Sequence, residues 1–198
     1  ILKLAGLEFK MTVFTHHSIE SAPEAAKPLM EQAVKEYGML PGLYQVMSSS
    51  PELLESYFKL HELFERTALS VTERNIVWLT INVEHACHYC VPAHTAIAKM
   101  QGVDDEIVAA LREERPLADA RLEALRQFTL ILVRELGNAP KAAVDTFLAA
   151  GFEPRAILDI LVGLAQKVLS NYTNHLAETP VDAPFQAFAW ERTSVAAE

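Results

Sequence analysis

Apolar positions recur every three or four residues over most of this chain, the spacing that stacks side chains on one face of an α-helix. Leu29, Met30, Ala33, Val34 and Tyr37 form such a face over residues 26–37, and Gly38 closes it. Pro41 and Gly42 mark a turn before a short helix over 43–47. Pro51 is placed to open the next helix, which runs to Arg66 and turns Leu53, Leu54, Tyr57, Phe58, Leu60 and Phe64 inward. Ser70 followed by Glu73 has the spacing of a capping box, so Glu73 reads as a cap for a helix carrying Ile76, Val77, Leu79, Thr80 and Val83. Trp78 on that helix reads as core, and His61 as a surface or hydrogen-bonded histidine.

Beyond Gly102 the pattern continues. Asp104 is placed to cap a helix over 105–113, and Pro116 separates it from a long amphipathic helix over 119–136 with Leu122, Leu125, Phe128, Thr129, Leu132 and Leu136 inward. Gly137, Asn138, Ala139 and Pro140 make a turn into a helix that ends at Ala150, and Pro154 opens a last long helix to about Leu176. The pattern predicts an all-α single domain of about seven to eight helices over residues 18–198, preceded by an N-terminal arm, 1–17. Residues 1–10 precede Met11, which opens like a natural start, and are set aside.

Composition agrees and narrows the function. With 51 % hydrophobic residues and only 7 glycines among 198, the chain has the material for a sizeable helical core. A net charge of −9 argues against a nucleic-acid partner, because phosphate binding needs a basic face. No apolar run is long enough to span a membrane and no signal peptide is visible, so a cytoplasmic location is the expectation.

The chemistry is concentrated in residues 84–94, Glu-His-Ala-Cys-His-Tyr-Cys-Val-Pro-Ala-His, which hold both cysteines. Were this stretch one helix, with Glu84 at 0°, then Cys87, Cys90 and His94 would fall near 300°, 240° and 280°, sharing about a third of the circumference. Pro92 argues for a break after Ala86 and a new helix start near 87–90, which would put the thiols at a positive helix end that favours thiolate. His94, one turn after Cys90, is placed to act as a general base, and Glu84 to pass protons to Cys87. This spacing suits dithiol–disulfide cycling. A zinc site is the alternative, weakened by the lack of further cysteines, and a regulatory or metal-binding oligomer is the corresponding rival to an enzyme.

The run Val83-Glu84-His85-Ala86-Cys87-His88-Tyr89-Cys90-Val91-Pro92-Ala93-His94 resembles the active-site signature of the alkyl hydroperoxidase D and carboxymuconolactone decarboxylase superfamily, with likeness from about Leu69 to Gly102. The resemblance implies a helical, homo-oligomeric, AhpD-like bundle that reduces hydroperoxides without a cofactor and is recycled by an external thiol or dithiol protein. Cys90 would be the peroxidatic thiol, Cys87 its resolving partner, and His94 with a glutamate the proton relay. In the best-known branch the relay glutamate falls on Asn75 of this chain, and Glu84 matches the arrangement of another branch. That branch has a histidine just before the second cysteine, where this chain has Tyr89, with His88 one place earlier. The decarboxylase branch typically lacks the cysteine pair, which argues against lactone decarboxylation here; a non-redox carboxymuconolactone decarboxylase-like enzyme is kept as a further alternative.

The polar run Asn171, Tyr172, Asn174 and His175 reads as the place where the last helix reaches solvent. The resemblance instead brings Asn171 and His175 towards the pocket, along with His88 and Tyr89. The tail after Thr179, with Pro180, Pro184, Phe185, Phe188 and Trp190, is too aromatic for a linker and is expected to pack on its own or another subunit.

Overall fold

The computed structural model describes residues 13–192; residues 1–12, the greater part of the expected arm, and 193–198 lie outside the described residues. Among the described residues nine α-helices follow one another: α1 Lys27–Tyr37, α2 Gly42–Met47, α3 Pro51–Glu65, α4 Val71–Glu84, α5 Cys90–Met100, α6 Asp105–Arg112, α7 Ala120–Arg134, α8 Lys141–Ala149 and α9 Pro154–Ala177. A 3-10 turn, Ala183–Phe188, comes last, and the described residues form no strand.

Local chemistry sets these boundaries. Pro51 stands in the first turn of α3, where its missing N–H costs nothing, and the Ser50 hydroxyl accepts from the Leu53 N–H. Both halves of the capping box form at α4: Ser70 accepts from Glu73 N–H, and the Glu73 carboxylate accepts from Ser70 N–H at 2.7 Å. Glu73 also pairs with Arg121 at 2.5 Å, so the cap ties α4 to α7. Leu136 departs from the expected pattern. It lies beyond the end of α7, with φ of 51°, and is 87 % exposed rather than inward.

The helix α4 is the axis of the bundle. Every residue from Asn75 to Val83 is buried, which a helix achieves only when packed on all sides, here by α5, α6, α7 and α9. Ile76, Leu79 and Ile81 have no exposure, and burying each stabilises the fold by roughly 1.5–3 kcal/mol. The helices α3 and α9 pack closely at Gly163, where a Cβ would come within 2.7 Å of the Phe64 ring.

Two apolar clusters result. One runs from Phe64 and Trp78 through Leu125, Phe128 and Phe147 to Ile160. The other joins Met30, Leu43, Met47, Leu54 and Tyr57 to Cys87 and Cys90. The cysteine segment therefore packs with the N-terminal helices, facing α9.

The tail crosses back over α5 within the same chain, as its aromatic content led one to expect. Asp182 accepts from the Tyr89 hydroxyl at 2.5 Å and from the Gly42 N–H at 3.2 Å. Farther on, the Trp190 indole N–H donates to the Arg112 carbonyl, and Arg112 donates to the Phe188 carbonyl.

Candidate active site

The cysteines sit where the chain leaves one buried helix and enters the next. α4 ends at Glu84, and Ala86 takes the left-handed conformation with φ of 52°. The Ala86 N–H then bonds to the Val83 carbonyl and the Cys87 N–H to the Asn82 carbonyl, the paired bonds of a Schellman cap. An alanine holds a position that glycine would fill with less strain. α5 starts at Cys90 itself, so the break after Ala86 and the restart at the cysteines are as expected.

That break separates Glu84 from the pair. The single helical face across residues 84–94 does not form, because the cap turns the chain before the first cysteine. Glu84 instead receives two bonds from the Arg134 guanidinium at 2.7 and 2.8 Å and approaches Arg192 at 3.5 Å. The Arg134 hydrogen bonds hold its carboxyl below the usual range. It lines a small cleft of about 180 Å³ with Arg126 and Arg134, to which neither cysteine contributes.

Cys87 and Cys90 are both free and come within 3.1 Å of each other. The Cys90 N–H donates to Cys87 Sγ at 3.3 Å, and the Asn174 amide donates to Cys90 Sγ at 3.2 Å. Burial pushes the Cys90 thiol up. The hydrogen bond from Cys87, the charge of Lys167 and the amides of Asn174 and Asn171 outweigh it and bring the thiol down to about 6. Cys87 moves the other way, raised by its hydrogen bond to Cys90, by burial and by the Cys90 charge. One sulfur is thus poised as thiolate and its neighbour as thiol.

Cys90 borders a pocket of about 430 Å³, and Cys87 does not. Most of the wall is apolar or aromatic, including Tyr44, Tyr57, Ala93, Ile97, Met100 and, from the tail, Phe185. Its polar lining includes Lys167, His94 and His61, with Glu36, Glu65 and Gln101 also at the wall. Lys167 has no solvent exposure; its Nζ lies 2.7 Å from His94 Nε2 and 5.7 and 5.8 Å from the ring centres of Tyr57 and Trp78. Burial lowers its ammonium to about 8, against the pull of the two sulfurs. His94 is held well below its ordinary value by burial, then by Lys167 and His61, so its ring is neutral. Trp78 supports both histidines, stacked on His61 and tilted against His94 at 5.1 Å, and it donates to Gln166, which also bonds His61.

The remaining expected residues divide. Tyr89 lines the pocket, fastened to Asp182. The polar run on α9 divides: Tyr172 and His175 are exposed, as expected where the helix reaches solvent, whereas Asn171 and Asn174 are fully buried and turn their amides towards the sulfurs. Asn171 also joins Asn82 to His85. His88 bonds the Thr179 carbonyl, and His175 lies on the outer side near His85 and His88; neither borders the pocket. His61 is hydrogen-bonded as expected and also lines the pocket. Lys167 and Gln166 went unnoticed in the sequence. The signal was present, since Lys167 is the one Lys, Arg, Asp or Glu between Asp159 and His175, preceded by the apolar stretch 160–165. Among the described residues, no three His, Cys, Asp or Glu side chains converge to hold a metal ion, and no helix is long and apolar enough to cross a membrane.

Comparison with known proteins follows the same lines. The profile of the carboxymuconolactone decarboxylase family matches residues 51–129, from α3 into α7. No curated protein matches the chain. Among solved structures, an alkylhydroperoxidase AhpD core, described as an uncharacterized peroxidase-related protein from Ralstonia eutropha JMP134, superposes with a TM-score of 0.78 at 18 % identity, covering 87 % of this chain and 93 % of that one. An uncharacterized peroxidase-related protein from Silicibacter sp. TM1040 gives 0.74 at 20 % identity over 90 % and 97 %. The debrominase Bmp8, in complex with 2,3,4-tribromopyrrole, gives 0.75 at 16 % identity over 90 % and 96 %. At these identities the likeness establishes an AhpD-like helical fold, within which residues 51–129 match the carboxymuconolactone decarboxylase family model.

Proposed function

We propose that this protein is a thiol-dependent peroxidase acting on organic hydroperoxides. The observation that carries the reading is Cys90: a thiol lowered to about 6, close to a second free cysteine, opening on an apolar pocket. The Cys90 thiolate attacks the terminal oxygen of the hydroperoxide, an S–O bond forms as the O–O bond breaks, and the alkoxide leaves as the alcohol after taking one proton. The sulfur is oxidised by two electrons and the peroxide reduced. Cys87 then displaces water from the sulfenic acid, closing a disulfide, and an external thiol or dithiol protein returns the pair to the reduced state. His94, beside the thiolate in the pocket wall, handles the proton.

The cysteines can be separated experimentally. Cys90→Ser abolishes hydroperoxide consumption, whereas Cys87→Ser completes one turnover and accumulates a sulfenic acid that dimedone traps. Dimedone labelling at Cys87 in a Cys90→Ser variant that still consumes peroxide would reverse the assignment. A second reading, thiol-dependent dehalogenation of a haloaromatic compound, draws on the aromatic lining of the pocket and on the debrominase among the structural neighbours. Halide release from a bromopyrrole, measured beside peroxide consumption, chooses between them. We also propose that copies of the chain associate, since Leu158, Leu161, Tyr172 and Leu176 are exposed along α9.

A further inference from the structure

The alkoxide released in the proposed reaction needs a proton, and the carboxylate expected to supply it is held elsewhere by Arg134. What stands at the pocket instead is Lys167, fully buried, within 2.7 Å of His94 Nε2. An ammonium has only hydrogens to offer, so it donates and Nε2 accepts. The neutral imidazole then carries its own hydrogen on Nδ1, and that buried atom has no partner among the described residues. The ring is engaged at Nε2 and unpartnered at the buried Nδ1, and His94 forms part of the pocket wall. A buried ammonium costs several kcal/mol of desolvation, a cost the fold carries with no carboxylate partner at Lys167 among the described contacts.

We infer that Lys167 is the proton source of the peroxide-reducing step and acts through His94, donating at Nε2 while Nδ1–H passes its proton to the leaving oxygen. The inference rests on the peroxidase reading and specifies how its proton is supplied. In the resting pair Cys90 is thiolate and Lys167 ammonium. As the O–O bond breaks, the Nδ1 proton goes to the alkoxide, the Lys167 proton moves to Nε2, and Lys167 is left as the amine. When the external dithiol reduces the disulfide and Cys90 ionises again, the released proton restores the ammonium. Lys167 is thus a positioning and proton-supplying residue, and His94 is the group that meets the substrate. The titratable and charged groups around the lysine are His94, Cys87 and Cys90 on the α5 side and Tyr57 and His61 on α3; Glu65 lies 3.7 Å from His61, and Glu36 and Arg74 also act on that histidine.

The test compares two reagents at the same sulfur. Cumene hydroperoxide expels an alkoxide that must be protonated, while iodoacetamide expels iodide, which needs no proton. Single-turnover rates are divided by the thiolate fraction, read from ultraviolet absorbance. In Lys167→Met the hydroperoxide rate falls about 100-fold, the scale of general acid catalysis, and the iodoacetamide rate stays within about threefold. Lys167→Gln, which keeps a donor to His94 but no transferable proton, gives the same split and serves where the methionine variant does not fold. The wild-type protein supplies a readout without mutation: its hydroperoxide rate declines above about 8 while its alkylation rate does not. Parallel losses with both reagents, or no loss with either, overturn the inference. Failure of the wild-type protein to consume hydroperoxide, with alkylation intact, would instead remove the peroxidase reading on which it stands.

Discussion

At the scale of single residues, the proposed chemistry needs neighbouring groups in opposite protonation states. The reactive form needs Cys90 ionised and Lys167 protonated. Activity therefore rises as pH increases through the Cys90 value of about 6 and falls as pH increases through the Lys167 value of about 8. A bell-shaped kcat/KM profile for a neutral alkyl hydroperoxide, with its maximum near neutrality, is the expected result; a rate still rising well above pH 8 would contradict it. Glu84 gives a second test at this scale. Its carboxylate joins α4 to Arg134 and the tail, so Glu84→Gln changes kcat/KM by less than about threefold and stability by about 0–1 kcal/mol. A loss above tenfold would return it to the relay. The cysteine pair and His94 could be read from the motif because their spacing is local. Lys167 and Asn174 could not be given a role, since they reach His94 and the Cys90 sulfur respectively from a helix some 70 to 90 residues away in sequence.

At the scale of elements, helix ends were the most legible feature, because caps are short-range chemistry. Ser70 with Glu73, Asp104, and the prolines at α3 and α9 all act within a few residues of themselves. The junction between α4 and α5 was legible only in part: Pro92 indicated a break, yet the left-handed Ala86 that swings Glu84 away from Cys87 carries no glycine to announce it. The 3-10 turn of the tail was hidden for a related reason, being set by contacts with α5 rather than by its own periodicity. Gly163 shows tertiary packing overriding local preference, as a residue poor for helices sits inside α9 to admit the Phe64 ring. Gly163→Ala gains helix propensity yet destabilises by roughly 1–3 kcal/mol, measured by urea unfolding, because the added methyl must displace a fully buried ring. A more stable variant would show that α3 and α9 part easily.

At the scale of the whole molecule, the bundle encloses a reactive sulfur between an apolar pocket and a buried ammonium. α3 and α5 supply much of the pocket wall, α9 brings the lysine and the amides, and Pro184 and Phe185 of the tail line it too. The all-α class followed from periodicity alone, whereas the wrapping of the tail over its own chain needed the folded structure. The apolar stripe on α9 predicts self-association: light scattering should give a mass above that of one chain, and Leu158→Asp with Leu161→Asp should shift it to the monomer. A monomeric wild-type protein would assign that stripe no role in assembly.

The central claim, that Cys90 and Cys87 act as a redox couple towards a hydroperoxide, is tested most directly by stoichiometry. Reduced protein is mixed with one equivalent of cumene hydroperoxide and its free thiols are counted. The account predicts loss of both thiols, complete consumption of the peroxide, and a Cys87–Cys90 disulfide in the peptide mass map. Two thiols retained with the peroxide unspent would contradict it.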